Sequence, residues 1–278
     1  MLPMTKLKIA LGQMRIDDGR AQDNFRRIEE IIERAGPTHD LIILPETATS
    51  GFADRASVAA VAAPLDGPTV EKLRGLAAKH DCVIAIGLPE AQGDDLFNTA
   101  AVIGPDGLLM AYRKTHLWSD DRAIFKPGSK VAATQLDTYK LGALICYDVE
   151  FPEPARMVAA MGADVIALCN GNMHPYGEVH RRAAAVRAQE NQVFIAVANR
   201  VGEGKGNSFA GGSMVAGPDG SILMEMGAEE GIGSIEIDLT QIDHARRDYC
   251  YLDDRRLVVE QNADQANDGT QEWTFPER

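Results

Sequence analysis

Short apolar runs alternate along the chain with longer segments in which apolar residues recur at helical spacing. Residues 41–45 (LIILP) and 164–169 (DVIALC) are apolar at almost every position, which is typical of strands buried on both faces. Residues 24–35 carry apolar side chains three and four positions apart and are followed by Gly-Pro, which indicates a helix that ends there. The same patterns predict further strands at residues 6–14, 82–87, 98–103, 108–112, 141–145, 193–199 and 234–239, and further helices at residues 69–80, 154–162 and 178–191.

Strands that alternate with helices predict an α/β architecture in which helices cover the sheets. The sequence GPDG occurs at residues 104–107 and again at residues 217–220, each time between two strand-like segments, and therefore predicts two hairpins. Each half of the chain combines such a hairpin with a buried strand that ends in an acid or a thiol. We therefore expect two sheets packed together, although this weak internal similarity does not determine the fold alone.

The segments between these elements are predicted to be loops. Residues 47–57 (TATSGFADRAS) form one, and residues 201–212 (VGEGKGNSFAGG) form another whose glycine content indicates a mobile or ligand-facing loop. Residues 1–278 are predicted to form a single domain, because 45% hydrophobic content can supply a large core and no compositional break divides the chain. The polar tail from about residue 261 is interpreted as an arm.

The charge balance and the cysteines restrict the partners and the compartment. A net charge of −13 disfavours nucleic acids and anionic membrane surfaces as partners. No apolar run approaches the length of a membrane-spanning helix, and the N-terminus lacks the apolar core and cleavage site of a secretory signal. The four cysteines are far apart and form no CxxC pair. We therefore expect a cytoplasmic protein with reduced thiols that acts on a small molecule or on another protein.

One of these cysteines stands where a nucleophile would be exposed. The apolar strand at residues 141–145 delivers Cys146 into a turn that precedes a helix starting at Pro154. A similar arrangement of strand, turn and helix exposes the serine of α/β hydrolases, and a nearby helix start favours a thiolate. The alternative is that Cys146 is a small apolar residue of the core, as free cysteines usually are.

Two other strand ends carry side chains that a thiol nucleophile needs. Glu46 follows the apolar run at residues 41–45, and Lys114 follows the strand at residues 108–112. A buried carboxylate can act as the general base, and a fixed lysine charge can stabilise an oxyanion. Because a charged residue at a strand end is usually a solvated cap, neither residue is informative by itself. Their combination with Cys146 is what favours a catalytic site.

The three sequence contexts together resemble the motifs of the carbon–nitrogen hydrolase family, which is the nitrilase superfamily. LPET contains Glu46, YRKTHLW followed by FKPG contains Lys114, and ICYDVEFPE contains Cys146. The segments RAAAVRAQENQVFIAVANRVG and GGSMVAGPDGSIL are also similar to family members, so that the resemblance covers roughly residues 7–256. It implies a four-layer αββα sandwich, a Glu-Lys-Cys triad, no cofactor, and assembly into a homodimer or a larger homo-oligomer.

The resemblance also implies the surroundings of the triad. The backbone N–H of Tyr147 is expected to hold the oxyanion together with Lys114. The resemblance also places Asn170, Gly171, Asn172 and Met173 beside the nucleophile, where they are expected to line the substrate pocket. His116 is grouped with the pocket because it lies two residues after Lys114, where we expect it to support the site.

At one position the chain departs from the family pattern. Family members often carry a second glutamate seven residues after the lysine and four before the phenylalanine of the FxPG turn, and both counts lead to Asp121. An aspartate is one methylene shorter, so its carboxylate lies farther back by roughly 1.5 Å, yet it can still bond Lys114 and orient the substrate. The alternative is that Asp120, Asp121 and Arg122 form a solvated charge run.

The function expected from the sequence is hydrolysis of a small amide, without a cofactor, through a thioester on Cys146. True nitrilases commonly follow the cysteine with Trp-Glu, whereas amidase-like family members often have Tyr-Asp, as in Cys146-Tyr147-Asp148. The acyl group is expected to be small and not strongly anionic, because no arginine cluster lies near the three motifs.

Three alternatives remain at this point. The first is a nitrilase or an N-carbamoyl amino acid amidohydrolase that uses the same triad. The second is a non-catalytic thiol protein, which the intact triad argues against. The third is a metal hydrolase, which is disfavoured because His174 and His180 fit no metal-binding spacing. No metal site is therefore expected.

Overall fold

The computed structural model describes residues 5–255 and, for the backbone alone, residues 262–265 and 270–274. Two β-sheets pack face to face, and helices cover both outer faces. The strands are β1 Lys6–Gln13, β2 Leu41–Ile43, β3 Val83–Gln92, β4 Asp95–Gly104, β5 Gly107–Arg113, β6 Lys130–Gln135, β7 Lys140–Ile145, β8 Val165–Cys169, β9 Phe194–Ala198, β10 Val201–Gly204, β11 Asn207–Ala210, β12 Met214–Ala216, β13 Ile222–Glu225, β14 Gly231–Asp238, β15 Asn262–Gln265 and β16 Thr270–Thr274. The helices are α1 Ala21–Ala35, α2 Arg55–Val61, α3 Pro68–His80, α4 Asp121–Ile124, α5 Pro152–Ala160, α6 Gly177–Asn191 and α7 Thr240–Ala245.

The two large sheets are built in the same way, as the repeated GPDG turn indicates. One has the strand order β14-β1-β2-β3-β4-β5, and the other has the order β13-β12-β9-β8-β7-β6-β16-β15. In each, three neighbouring strands are parallel and an antiparallel hairpin closes one side. The predicted turns join β4 to β5 and β12 to β13, which confirms both hairpins.

Alternate side chains of the central strands enter different layers. Ile9 and Leu11 of β1 pack between the two sheets, whereas Ala10 points to the helices on the outer face. In β2, Leu41 and Ile43 are likewise between the sheets. Because successive side chains of a strand point to opposite faces, a strand that is covered on both faces must be apolar at every position.

Helices complete the outer layers. On the first sheet, α1 and α3 bury one apolar stripe each, which includes Ile28, Ile32 and Leu73. On the second sheet, α5 and α6 pack through small residues such as Ala155 and Ala184. The result is the four-layer αββα sandwich that the family resemblance implies, so that prediction is confirmed.

The glycine-rich segment at residues 201–212 was predicted to be a loop, and this prediction is wrong. It forms a hairpin in which β10 pairs with β11. The two residues at its tip, Lys205 and Gly206, have φ angles of 46° and 76°. Positive φ at both central residues is the requirement of a type I′ turn, which connects twisted antiparallel strands with two residues.

Two further segments differ from the sequence prediction. The segment at residues 47–57 contains the start of α2, which Asp54 caps by accepting a hydrogen bond from the backbone N–H of Ser57 at 2.9 Å. In the polar tail, β16 pairs with β6 and β15 pairs with β16, so part of the predicted arm extends the second sheet. Among the described residues, no helix combines the length and the apolar character needed to cross a bilayer.

Candidate active site

Three strand ends meet between the two sheets. Glu46 lies three residues beyond the end of β2, Lys114 directly follows β5, and Cys146 directly follows β7. All three side chains are buried. Lys114 Nζ lies 2.6 Å from Glu46 Oε1, so two residues that are 68 positions apart in the chain form a buried ion pair. The sequence therefore predicted correctly that these strand ends come together.

Lys114 contacts a second carboxylate. Its Nζ lies 2.7 Å from Asp121 Oδ2, and Asp121 is buried. The alternative that Asp121 belongs to a solvated charge run is therefore wrong. Burial alone would lower the pKa of Lys114, but the carboxylates of Glu46 and Asp121 outweigh it and hold that pKa well above its usual value. Lys114 consequently keeps its positive charge at neutral pH.

One oxygen of the Glu46 carboxylate accepts hydrogen bonds, and the other accepts none from the described residues. Oε1 accepts hydrogen bonds from Lys114 Nζ and, at 2.7 Å, from Asn98 Nδ2. Oε2 is buried and accepts no hydrogen bond from the described residues. Burial raises the pKa of Glu46 above its usual value, and the charge of Lys114 opposes this shift without cancelling it. A carboxylate whose pKa is raised accepts a proton from a neighbouring group more readily.

Cys146 sits at the sharp turn that the sequence predicted. Its φ angle is 46°, in the left-handed region that non-glycine residues rarely adopt, and it begins a 3₁₀ helix at residues 146–150. Burial and the nearby Glu46 carboxylate raise the pKa of the thiol well above its usual value, while Lys114 and a hydrogen bond from the backbone of Gly171 oppose this shift. The resting sulfur is therefore a thiol beside a carboxylate. Strained backbone of this kind is concentrated at functional sites.

A cavity of about 380 Å³ opens above the three residues. Glu46, Lys114 and Cys146 form its floor, and its walls combine aromatic and apolar residues with polar ones. The wall residues include Phe52, Trp118, Phe125, Tyr147, Met173 and Tyr176. A small molecule that enters this cavity loses most of its contact with water, which strengthens its interactions with the charged groups on the floor.

The comparison with known proteins agrees with this geometry. Residues 8–247 match the carbon–nitrogen hydrolase family. The chain belongs to that family. An (R)-stereoselective amidase of Pseudomonas sp. is 42% identical to this hydrolase over 267 residues, which are 96% of this chain and 97% of the relative. A nitrilase of Pyrococcus abyssi is 36% identical over 246 residues, which are 86% of this chain and 93% of that protein.

Solved structures extend the comparison to the fold. The crystal structure of an amidase from Nesterenkonia sp. matches this hydrolase with a TM-score of 0.82 and 30% sequence identity, over 92% of this chain and 96% of that chain. In a glutamate-to-glutamine mutant of that amidase, the acetamide moiety of fluoroacetamide is covalently attached to the active-site cysteine.

The predicted substrate pocket is only partly correct. Gly171, Asn172 and Met173 line the cavity of this hydrolase, but His116 and Asn170 are not among the described residues that do so. His116 is held away from the cavity because its backbone N–H and its Nδ1 both bond Asp148 Oδ1 at 2.9 Å.

Gly171 and Asn170 occupy their positions for different reasons. A Cβ at Gly171 would lie 2.7 Å from Glu46 Oε2 and 2.5 Å from Phe52 Cζ, so no side chain fits at this point of the cavity wall. Asn170 turns its side chain to His180, with 3.1 Å between Oδ1 and Nδ1, and its carbonyl accepts a hydrogen bond from the Glu46 backbone at 3.3 Å. Asn170 therefore holds the backbone of Glu46 and the side chain of His180 without lining the cavity.

The sequence did not reveal the role of Asp148. Its carboxylate connects the 3₁₀ helix at residues 146–150 to the segment that follows β5. Its carboxylate is fully buried and accepts hydrogen bonds from Tyr112 Oη at 2.8 Å, Thr115 Oγ1 at 2.9 Å and the Ile145 backbone at 3.2 Å, besides those from His116. Burial, together with the Asp148 charge, raises the pKa of Tyr112 well above its usual value. The only sequence signal was an acid two residues after the cysteine.

Replacing Asp148 by alanine is expected to lower the free energy of unfolding by about 3 kcal/mol, because several buried donors lose a charged acceptor. Urea unfolding followed by circular dichroism measures this change. Asp137→Ala is the matched control, since Asp137 is exposed in the connection between β6 and β7 and should change the value by less than about 0.5 kcal/mol. A loss below about 1 kcal/mol for Asp148→Ala would show that the hydrogen bonds to Asp148 contribute little to the free energy of unfolding.

One of the two histidines that were weighed as a metal pair, His180, contacts other side chains. His180 is buried and lies between Asn170 and Glu150, whose Oε1 is 3.1 Å from His180 Nε2. Over residues 5–255 and the two described tail strands, no three histidines, cysteines or acids are grouped as they would be around a metal ion.

Proposed function

We propose that this hydrolase is an amidase that cleaves a small amide to a carboxylic acid and ammonia through a thioester on Cys146. The proposal rests on one observation, which is that the buried Glu46 carboxylate contacts a buried lysine and a buried thiol on the floor of a single cavity. Cysteine catalysis needs a base for the thiol proton and a stabilising charge for the oxyanion, and this arrangement offers both.

In the proposed reaction, Glu46 accepts the thiol proton while the sulfur of Cys146 attacks the amide carbon. The amide oxygen becomes an oxyanion that Lys114 Nζ and the backbone N–H of Tyr147 stabilise. When the C–N bond breaks, Glu46 returns the proton to the nitrogen and ammonia leaves. Water then gives a proton to Glu46 as it attacks the thioester, the carboxylic acid is released, and the sulfur recovers its proton.

The roles of Tyr147 and Asp121 follow from their positions. Tyr147 is the second residue of the 3₁₀ helix that begins at Cys146, and the first N–H groups of a helix have no partner inside the helix. Asp121 is bonded to Lys114 Nζ at 2.7 Å and so fixes the position of the cationic group. Neither role requires a cofactor or a metal ion.

The relatives support an amide as the substrate. The Pseudomonas relative is named as a stereoselective amidase, and the Nesterenkonia amidase forms a covalent adduct on its cysteine. A nitrilase is the second candidate, because the Pyrococcus relative carries that name. An amide reacts through a tetrahedral oxyanion that suits Lys114, whereas a nitrile gives a thioimidate nitrogen that must be protonated and later hydrated.

Butyramide is therefore expected to be hydrolysed at least tenfold faster than butyronitrile, measured as kcat/KM from the release of ammonia. The two compounds have the same carbon chain, so the comparison isolates the functional group. An N-carbamoyl amino acid tests the remaining alternative in the same assay. A tenfold preference for the nitrile, with the acid as the main product, would contradict the amidase assignment and leave the thiol mechanism intact.

The proposal extends to the assembly and the compartment. We infer a homodimer or larger homo-oligomer in the cytoplasm. The homo-oligomer rests on the family resemblance. All four cysteines are free, as a reducing compartment would maintain them.

A further inference from the structure

In the described part of the chain, two acidic side chains that the proposed reaction does not use line the cavity, and one of them, Asp120, is exposed and paired with Lys205. The other is Glu150. Glu150 is the last residue of the 3₁₀ helix that Cys146 begins, and it lines the cavity. Four residues of 3₁₀ helix span about 8 Å, so the Glu150 backbone is one small substrate away from the nucleophile. Its side chain is 30% exposed, which leaves the carboxylate accessible from the cavity.

Only one oxygen of the Glu150 carboxylate has a hydrogen-bond partner among the described residues. Oε1 lies 3.1 Å from His180 Nε2, but Oε2 accepts no hydrogen bond from any described residue. Arg187 donates hydrogen bonds to the backbone carbonyls of Val149 at 3.1 Å and Glu150 at 3.5 Å and pairs with the side chain of Glu190, so its charge is matched by Glu190 and not by the Glu150 carboxylate. Whatever the protonation of His180, Oε2 remains available to a cation in the cavity.

Both lysines that line the cavity already contact carboxylates. Lys114 is bonded to two carboxylates, and Lys205 Nζ, at the tip of the β10–β11 hairpin, lies 3.0 Å from Asp120 Oδ2. Arginine is absent from the described residues that line the cavity. Among the described lining residues, both lysines are therefore paired with carboxylates, whereas Glu150 Oε2 is open to a cationic acyl group.

We propose that the site prefers amides that carry a protonated amine a few bonds from the amide carbon, with Glu150 as the counter-ion of the amine. This inference rests on the proposed amidase function and adds the chemical class of the acyl group. A charge-assisted hydrogen bond from the ammonium to Glu150 Oε2 would fix the acyl chain while the triad holds the amide. Contacts at both the amine and the amide end also fix the orientation of the acyl chain between them.

Two matched substrates test the preference. At pH 7, 3-aminopropanamide is a cation and butyramide is neutral, and the two molecules have the same number of non-hydrogen atoms. The expected ratio of their kcat/KM values, cation over neutral, is about ten or more for the wild-type enzyme. Succinamic acid, which carries a carboxylate in place of the amine, is expected to be the poorest of the three.

Glu150→Gln is expected to lower the cation-to-neutral ratio about tenfold, which corresponds to 1.4 kcal/mol. The ratio is the readout because general damage to the site lowers both rates and leaves their quotient unchanged. Glu153→Gln is the matched control, since Glu153 is exposed on the first turn of α5 and is not among the cavity-lining residues. It removes the same charge three residues away and should leave the ratio unchanged.

Glu150→Lys should reverse the order and favour succinamic acid over 3-aminopropanamide. A wild-type ratio of one or less, or a ratio that Glu150→Gln does not change, overturns the role of Glu150 while butyramide turnover keeps the amidase proposal. If no amide is hydrolysed at all, both proposals fail. The wild-type ratio needs no variant, so a value well below ten overturns the preference even if Glu150→Gln does not fold, and Glu150→Lys then tests the role of Glu150.

Discussion

Replacing Cys146 by alanine is expected to lower kcat/KM for amide hydrolysis by about 10⁴-fold or more, with the fold intact. The sulfur forms the covalent bond to the acyl group, and the groups around it act as a unit, so its loss removes most of their combined effect. Ammonia release from butyramide measures the rate, and circular dichroism checks the fold. A rate within tenfold of the wild type would exclude the thioester mechanism.

Cys169→Ala is the matched control for this substitution. Cys169 ends β8, is fully buried, and pairs in register with Ile145, the residue before the nucleophile. Burial, with the Glu46 charge as a smaller contribution, raises the pKa of the Cys169 thiol well above its usual range, so this sulfur is an inert core group. Its replacement should lower stability by removing packed volume and should change kcat/KM far less than Cys146→Ala does.

The second large effect is expected from Glu46→Gln, which should lower kcat/KM by about 10³-fold or more. The amide keeps the shape of the carboxylate but cannot accept the thiol proton, and general acid–base catalysis contributes up to about 10⁴-fold. It also leaves Lys114 with one carboxylate partner, Asp121. Steady-state kinetics with butyramide measures the loss, and circular dichroism checks that the fold is intact.

A second buried glutamate provides the control for Glu46→Gln. Glu90, on β3, is buried, pairs with Arg113 and accepts a hydrogen bond from Thr99 Oγ1 at 2.6 Å. It thus resembles Glu46 in burial and in having a cationic partner, but it does not line the cavity. Glu90→Gln should reduce the free energy of unfolding and leave kcat/KM within a few-fold of the wild-type value. An equal fall in rate for both variants would show that the loss comes from a disrupted sheet.

Local sequence indicated two of the three strand ends. A run that is apolar at every position is typical of a strand covered on both faces, and a charged or thiol residue directly after it is expected at the edge of the sheet. Glu46 and Cys146 follow such runs, whereas Lys114 follows β5, which is partly exposed and ends in Tyr112 and Arg113, so that its selection depended on the family resemblance. The same rule does not apply to residues inside a connection, which explains why the pocket was predicted less well than the triad.

The hairpin at residues 201–212 shows why connections were difficult to predict. Its strands are only four residues each, and β10 contains two glycines, so they carry little of the apolar alternation that identifies a strand. The isolated bridge between Arg15 and Val201 and the pairing of the two short strands stabilise it. Only the assembled fold brings Lys205 to the cavity.

The sequence by itself determined the α/β class, the paired hairpins and the three strand ends that carry Glu46, Lys114 and Cys146, because these depend on patterns within one segment. The packing of the two sheets decided which acids become buried. Asp120 and Asp121 are neighbours in one charge run, yet Asp120 pairs with Lys205 at the surface while Asp121 is buried against Lys114. Burial and charge pairing depend on what other parts of the chain bring alongside a residue, and that is a property of the tertiary structure.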